Sequence, residues 1–206
     1  MREWQLSGND PLSLTLAYDA RSGPTDYLDD QIWELTLGGG DPPALALQTT
    51  YGLRAKALRL FPRFKEGDLT SSDPSAFPES PKIEQIYPSF ISCTFSPLPD
   101  INVEYETWVP DSHGIAGRLQ ITNNGKISRS IQFEWVGQLT PNEGQRMAPM
   151  EHQATHILCG STGGLTPVIF MTGGPKPGSG SYPSLMFTMD LRPNEKRQIT
   201  WVSTAL

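Results

Sequence analysis

The chain has 206 residues, with 19 glycines, 19 prolines and a formal charge of −6. An acidic chain repels phosphate backbones, which argues against nucleic acid as a partner. No apolar run approaches the ~20 residues of a membrane-spanning helix, which argues against a membrane span, and "MREWQLSGNDPLSL" lacks the apolar core of a secretory leader. A cytoplasmic protein is expected.

In chain order, "LSLTLAYDA" sets Leu12, Leu14, Leu16 and Tyr18 against Ser13, Thr15 and Ala17. Period two with one apolar side predicts a half-buried strand. "QIWELTL", "ALALQTTYG" and "KALRLFPRF" continue the pattern. Residues 66–81, "EGDLTSSDPSAFPESP", interrupt it with Ser, Asp, Pro and Glu. That composition predicts a long, exposed, mobile loop. Strand-like runs resume in "KIEQIYPSFISCTF", "INVEYETWVP", "IAGRLQIT", "SIQFEWVGQL", "ATHILCG", "TPVIFMTG", "SLMFTMDL" and "RQITWVSTAL". "TNNGKIS" reads as a hairpin turn, because Asn and Gly tolerate positive φ. "DLRPNEKRQ" reads as another turn, and 173–181, "GGPKPGSGS", as a mobile loop. No window carries a capped helical stripe. The expectation is all-β: one large antiparallel β-sandwich over 1–206 with little helix.

"LTLGGGDPPALAL" has the glycines of a phosphate loop, but a strand follows rather than a helix, no Lys is present, and Asp41 would repel an anion. Gly38, Gly39 and Gly40 therefore predict a hairpin connection. "EHQATH" places His152 and His156 four apart. On one strand that spacing separates the rings by ~13 Å, too far for one metal. His113 in "PDSHG" is a lone loop histidine. No G-x-S-x-G elbow marks a nucleophile. Asp29, Asp30, Glu34, Glu104 and Glu106 are the available carboxylates for a glycosidase pair. Glu104 and Glu106 share one strand face and read as solvation. No catalytic residue, metal ligand or cofactor site is therefore assigned. Cys93 and Cys159 read as buried free thiols. Trp33, Trp108, Trp135 and Trp201 lie in strands and are expected in the core, and Trp4 lies in the first short run. Tyr27 in "GPTDYLDDQ" and Tyr182 in "GSGSYPS" are flanked by loop residues and are the candidate ligand-binding rings.

Three stretches together carry a resemblance: "PTDYLDDQIWELTLGGGDPPALALQTTYGLRAKALRLFPRF", "YETWVPDSHGIAGRLQITNNGKISRSIQFEWVGQL" and "SLMFTMDLRPNEKRQITWVSTA". Residues 107–110, 119–125, 129–133 and 191–195 set its rhythm. The chain resembles the N-terminal β-sandwich of bacterial multidomain glycoside hydrolases related to glycogen debranching enzymes, glucoamylases and processing α-glucosidases. The resemblance implies a supersandwich of the galactose mutarotase-like kind. It also implies that the sandwich precedes an α/α toroid bearing the catalytic carboxylates. "QITWVSTAL" would then be the last strand before that downstream catalytic domain.

The first functional expectation is thus a non-catalytic accessory domain of a carbohydrate-active enzyme, with 66–81 and 173–181 as cleft or interface loops. Its partners would be the downstream domain and an oligo- or polysaccharide. The alternative is a free-standing carbohydrate-binding module, which requires a line of outward aromatic rings on one sheet face. A third reading is an aldose-epimerase-type enzyme, pairing His113, His152 or His156 with Glu104, Glu106 or Glu151.

Overall fold

The structure is a computed structural model that describes residues 4–5, 13–18, 30–50, 54–152, 156–178 and 180–205. Two antiparallel sheets face each other, and among the described residues no α-helix forms. The first sheet runs, edge to edge, β1 (Trp4–Gln5), β7 (Glu79–Tyr87), β8 (Phe90–Leu98), β9 (Ile101–Asp111), β10 (Gly114–Asn123), β17 (Lys196–Ala205), β14 (Pro167–Met171), β13 (His156–Leu158) and β12 (Glu151–His152). The second runs β15 (Lys176–Pro177), β16 (Ser184–Leu191), β11 (Arg129–Thr140), β5 (Ala57–Glu66), β4 (Leu45–Thr49), β3 (Ile32–Leu37) and β2 (Ser13–Ala17). β6 (Leu69–Ser71) pairs beside β5. The expected large all-β sandwich is the observed fold.

Period-two alternation decides which side chains meet between the sheets. β5 sends Leu58, Leu60 and Phe64 inward and turns Arg59, Phe61 and Arg63 outward. The β4 ladder covers Leu58–Leu60 and the β6 ladder covers Phe64–Glu66, so Pro62 falls between the two partners on that side. β11 contributes Phe133 and Trp135, and the first sheet answers with Phe95, Tyr105 and Trp201. Trp135 stacks on Trp201 across the layers at 4.4 Å between ring centroids. Phe64 meets Phe133 at 5.4 Å and Phe95 at 6.3 Å, both edge to face. Each such side chain contributes ~1.5–3 kcal/mol by burial. Cys93 and Cys159 are free and buried in this core. Burial pushes both thiols up to about 12.

The GGG hairpin forms as expected. Gly38, Gly39 and Gly40 all take positive φ, and the Gly38 amide donates to Ala44 O at 3.0 Å.

Three expectations need correction. Residues 66–81 are not a long exposed loop. Gly67 makes a tight β5–β6 turn, and the Asp73 side chain caps a 3-10 turn at Pro74–Ala76. Phe77 then plugs the core, stacked on Phe95 at 5.3 Å. The segment carries the chain from the second sheet to the first. "TNNGKIS" is likewise not a hairpin within a sheet. It joins β10 of the first sheet to β11 of the second, and "DLRPNEKRQ" joins β16 to β17 in the same crossing manner. Residues 173–178 of the expected 173–181 loop carry another crossing, from β14 to the short edge strand β15, which pairs with β16.

Buried Asn123 clips the two arches together. Its Nδ2 donates to Ile127 O at 2.8 Å and to Leu191 O at 2.9 Å, while its Oδ1 accepts from the Gly125 amide at 2.9 Å. Its backbone exchanges bonds with Glu195 O and the Asn194 amide, and Asn194 sits at φ 61. The N-x-G pattern of the sequence is therefore a clamp between sheets.

Candidate functional site

Each sheet has an outward face, and the two differ in chemistry. On the second sheet, Ala44, Ala46, Phe61 and Val136 form a small buried cluster on the outer side. Tyr182, one of the two candidate rings, lies half-buried against it and donates from its hydroxyl to Asp41 O at 3.4 Å. Tyr27, the other, lies outside the described residues. Buried Arg59 fastens the glycine hairpin above the cluster, donating to Gly39 O at 3.1 Å, Pro42 O at 3.2 Å and Gln138 Oε1 at 3.1 Å. Its guanidinium lies 5.5 Å from the Phe61 ring centroid. Desolvation holds its pKa below the ordinary arginine value, opposed by Tyr182 and Asp41. Gly40 has no room for a side chain, since a Cβ there would sit 2.4 Å from Arg59. This corner is filled by its own structure.

Beside it, Arg63 pairs with Glu134, whose other oxygen accepts from Gln132 Nε2 at 2.7 Å. With Lys65, Thr70 and Gly180 these residues line a polar cleft of about 210 Å³.

The outer face of the first sheet carries a different pattern. Tyr87 lies opposite Phe90, and Phe90 opposite Trp108. Trp108 lies opposite Ala116, and Ala116 opposite Val202. Phe170 follows opposite Val202, and His156 opposite Phe170. One row of side chains, aromatic at both ends, thus crosses seven strands, a span of ~29 Å at the usual inter-strand spacing. Tyr87 is 59% exposed, Phe170 40% and Val202 36%. Tyr87 and Phe90 stand 6.2 Å apart between centroids, and His156 tilts against Phe170 at 4.9 Å. Between Trp108 and Phe170 the row borders a groove of about 630 Å³, lined also by Gly117, Thr200, Val202 and the Thr172, Gly173, Gly174 and Pro175 turn.

The neighbouring rows are polar. Ser92, Glu106, Arg118 and Thr200 form one, and Thr94, Glu104, Gln120 and Gln198 the next. Glu106 accepts from Arg118 Nε at 2.5 Å and Nη2 at 3.1 Å. The Glu106 hydrogen bond raises the Arg118 pKa.

Core packing holds for Trp33, Trp135 and Trp201 and fails for Trp108. Trp108 shares the phase of Glu104 and Glu106, so it points to the polar side of β9. The phase is written in the sequence, and here it overrides the general preference of tryptophan for burial. Trp4 is described only as part of the β1 backbone.

The histidine geometry also differs from expectation. His152 and His156 do not lie on one strand. They flank residues 153–155 between the antiparallel strands β12 and β13. His156 is engaged with Phe170, and His113 sits in the β9–β10 turn, its Nδ1 3.1 Å from Ser112 Oγ. Among the described residues no three His, Cys, Asp or Glu gather as metal ligands, and none of the helical segments is long and apolar enough to cross a membrane.

No protein-family model matches the chain, and neither does any curated protein. Solved structures do match. A protein described as a kojibiose phosphorylase from the human microbiome aligns at TM-score 0.59 and 11% identity, over 98% of this chain and 34% of that one. A protein described as an aldose 1-epimerase from Escherichia coli K12 aligns at 0.54 and 8%, over 95% and 99% of the two chains. A Synechocystis protein aligns at 0.55 and 9%, over 100% and 99%. The chain spans about a third of the phosphorylase and nearly all of the other two. At such identities the likeness shows the fold, which is the supersandwich shared with aldose-epimerase-like proteins.

Proposed function

We propose that this chain is a non-catalytic, carbohydrate-associated β-sandwich that serves as an accessory domain of a larger carbohydrate-active enzyme. The observation that carries the reading is its fold likeness to one third of a kojibiose phosphorylase. The disposition of its charged groups supports it. Glu66, Glu106 and Glu134 are each held in an ion pair with an arginine. A carboxylate engaged in this way is poorly placed to take a substrate proton. The downstream catalytic domain and the debranching or glucoamylase lineage belong to this proposal.

A free-standing binding module is the second reading. It is favoured by the aromatic row on the first sheet. The epimerase-type alternative draws on the likeness to the E. coli protein.

The test is an assay of the purified chain with kojibiose and phosphate, with α-glucosides, and with an aldohexose followed by optical rotation. The expected rate equals that of buffer. A rate above buffer that His113→Asn or Glu104→Gln abolishes would overturn the non-catalytic reading.

A further inference from the structure

We infer that the aromatic row on the outer face of the first sheet is a docking platform for a neutral oligosaccharide, laid across the strands. This deepens the carbohydrate-associated reading and rests on it.

The width of the row selects the occupant. It is one side chain wide and ~29 Å long, and a two-residue repeat along the strand is ~7 Å, giving roughly 200 Å². A stable protein partner covers about 800 Å² a side and wants its centre depleted of charge. Here the very next row carries Glu106 and Arg118, and the one beyond carries Glu104. A second copy of the chain or a folded domain would have to desolvate those groups.

A pyranose matches the pattern. Its C–H face is apolar and flat, and its rim is a ring of hydroxyls. Trp108 and Phe170 both line the groove, with Ala116 and Val202 between them in the row. Burial of that area supplies affinity. Thr200 lines the groove, Arg118 lies opposite it in the adjacent row, and Gln120 and Gln198 follow one row further along the strands, so that a hydroxyl and two amides can donate and accept and a guanidinium can donate to sugar oxygens. The carboxylate of Glu104 on the same face disfavours acidic sugars, hence a neutral chain. The row spans several sugar units, and binding should therefore strengthen with chain length.

The test is calorimetric titration of the full chain with maltohexaose and with cellohexaose, and with the corresponding disaccharides. Binding of at least one hexasaccharide, more tightly than its disaccharide, is expected. Trp108→Ala and Phe170→Ala, made separately, should each weaken it at least tenfold at an unchanged thermal midpoint. Thr188→Ala on the opposite sheet should bind as wild type. Wild type that binds neither hexasaccharide overturns the inference, as does binding that survives both ring deletions. A wild-type dimer that Trp108→Ala converts to monomer also overturns it, because the row then covers a second copy. The accessory-domain reading outlives any of these results, since enzyme assay and reading frame test it separately.

Discussion

Asn123 donates twice and accepts once, and all its bonds lie where the two arches between the sheets meet. Replacing it by alanine orphans Ile127 O, Leu191 O and the Gly125 amide. Each buried group left unpaired costs about 1–3 kcal/mol, and some of these regain water. Asn123→Ala should therefore lose about 2–4 kcal/mol in urea unfolding. A loss within error of zero would contradict the clamp. Glu66 makes a second cross-connection. It pairs with Arg129, which also donates to Pro99 O at 2.9 Å and so reaches the β8–β9 turn. The hydrogen bond from Arg129 holds the Glu66 carboxyl below its ordinary range. The resulting stability is fully present above the unfolded value of about 4.3 and is lost as pH falls through the lower folded value. Glu66→Gln should be less stable than wild type at neutral pH, and the deficit should shrink in acid. Unfolding curves at several pH values check this, and a deficit constant with pH would contradict it.

Strands were legible because alternation is local. The destination of each strand was not. An Asn-Gly turn between two alternating runs serves equally for a hairpin and for an arch, since both need residues that tolerate unusual φ. "TNNGKIS" therefore could not announce that β10 and β11 lie in different sheets. Residues 66–81 hid their role for another reason. The segment has one anchor, Phe77, among residues typical of loops, and composition averages that anchor away. The structure gives the anchor its weight: Phe77→Ala should cost about 3–5 kcal/mol, as large-to-small changes in cores do. Limited proteolysis of the native chain should spare 69–77. Rapid cleavage there would restore the mobile-loop reading. Trp108 was legible and missed, because its phase with Glu104 and Glu106 is written in "VEYETW". Its partners in the row come from strands far apart in the chain, and register alone brings them together.

At the scale of the whole molecule, the two outer faces divide the labour. The second sheet fills one corner of its face with Tyr182, the glycine hairpin and Arg59 and leaves a polar cleft beside it. The first leaves a ribbon of rings open beside hydrogen-bonding rows. Fold class followed from composition and period, because glycine, proline and alternation together admit few architectures. Function did not follow, because a fold alone does not name what its surface meets. The central claim is that this sandwich serves a larger carbohydrate-active enzyme. It is tested most directly by reading the source gene past the codon for Leu206. The account predicts an open frame that continues for several hundred residues, with helical-hairpin periodicity and a pair of carboxylates set for glycoside chemistry. A stop codon directly after Leu206 would contradict it.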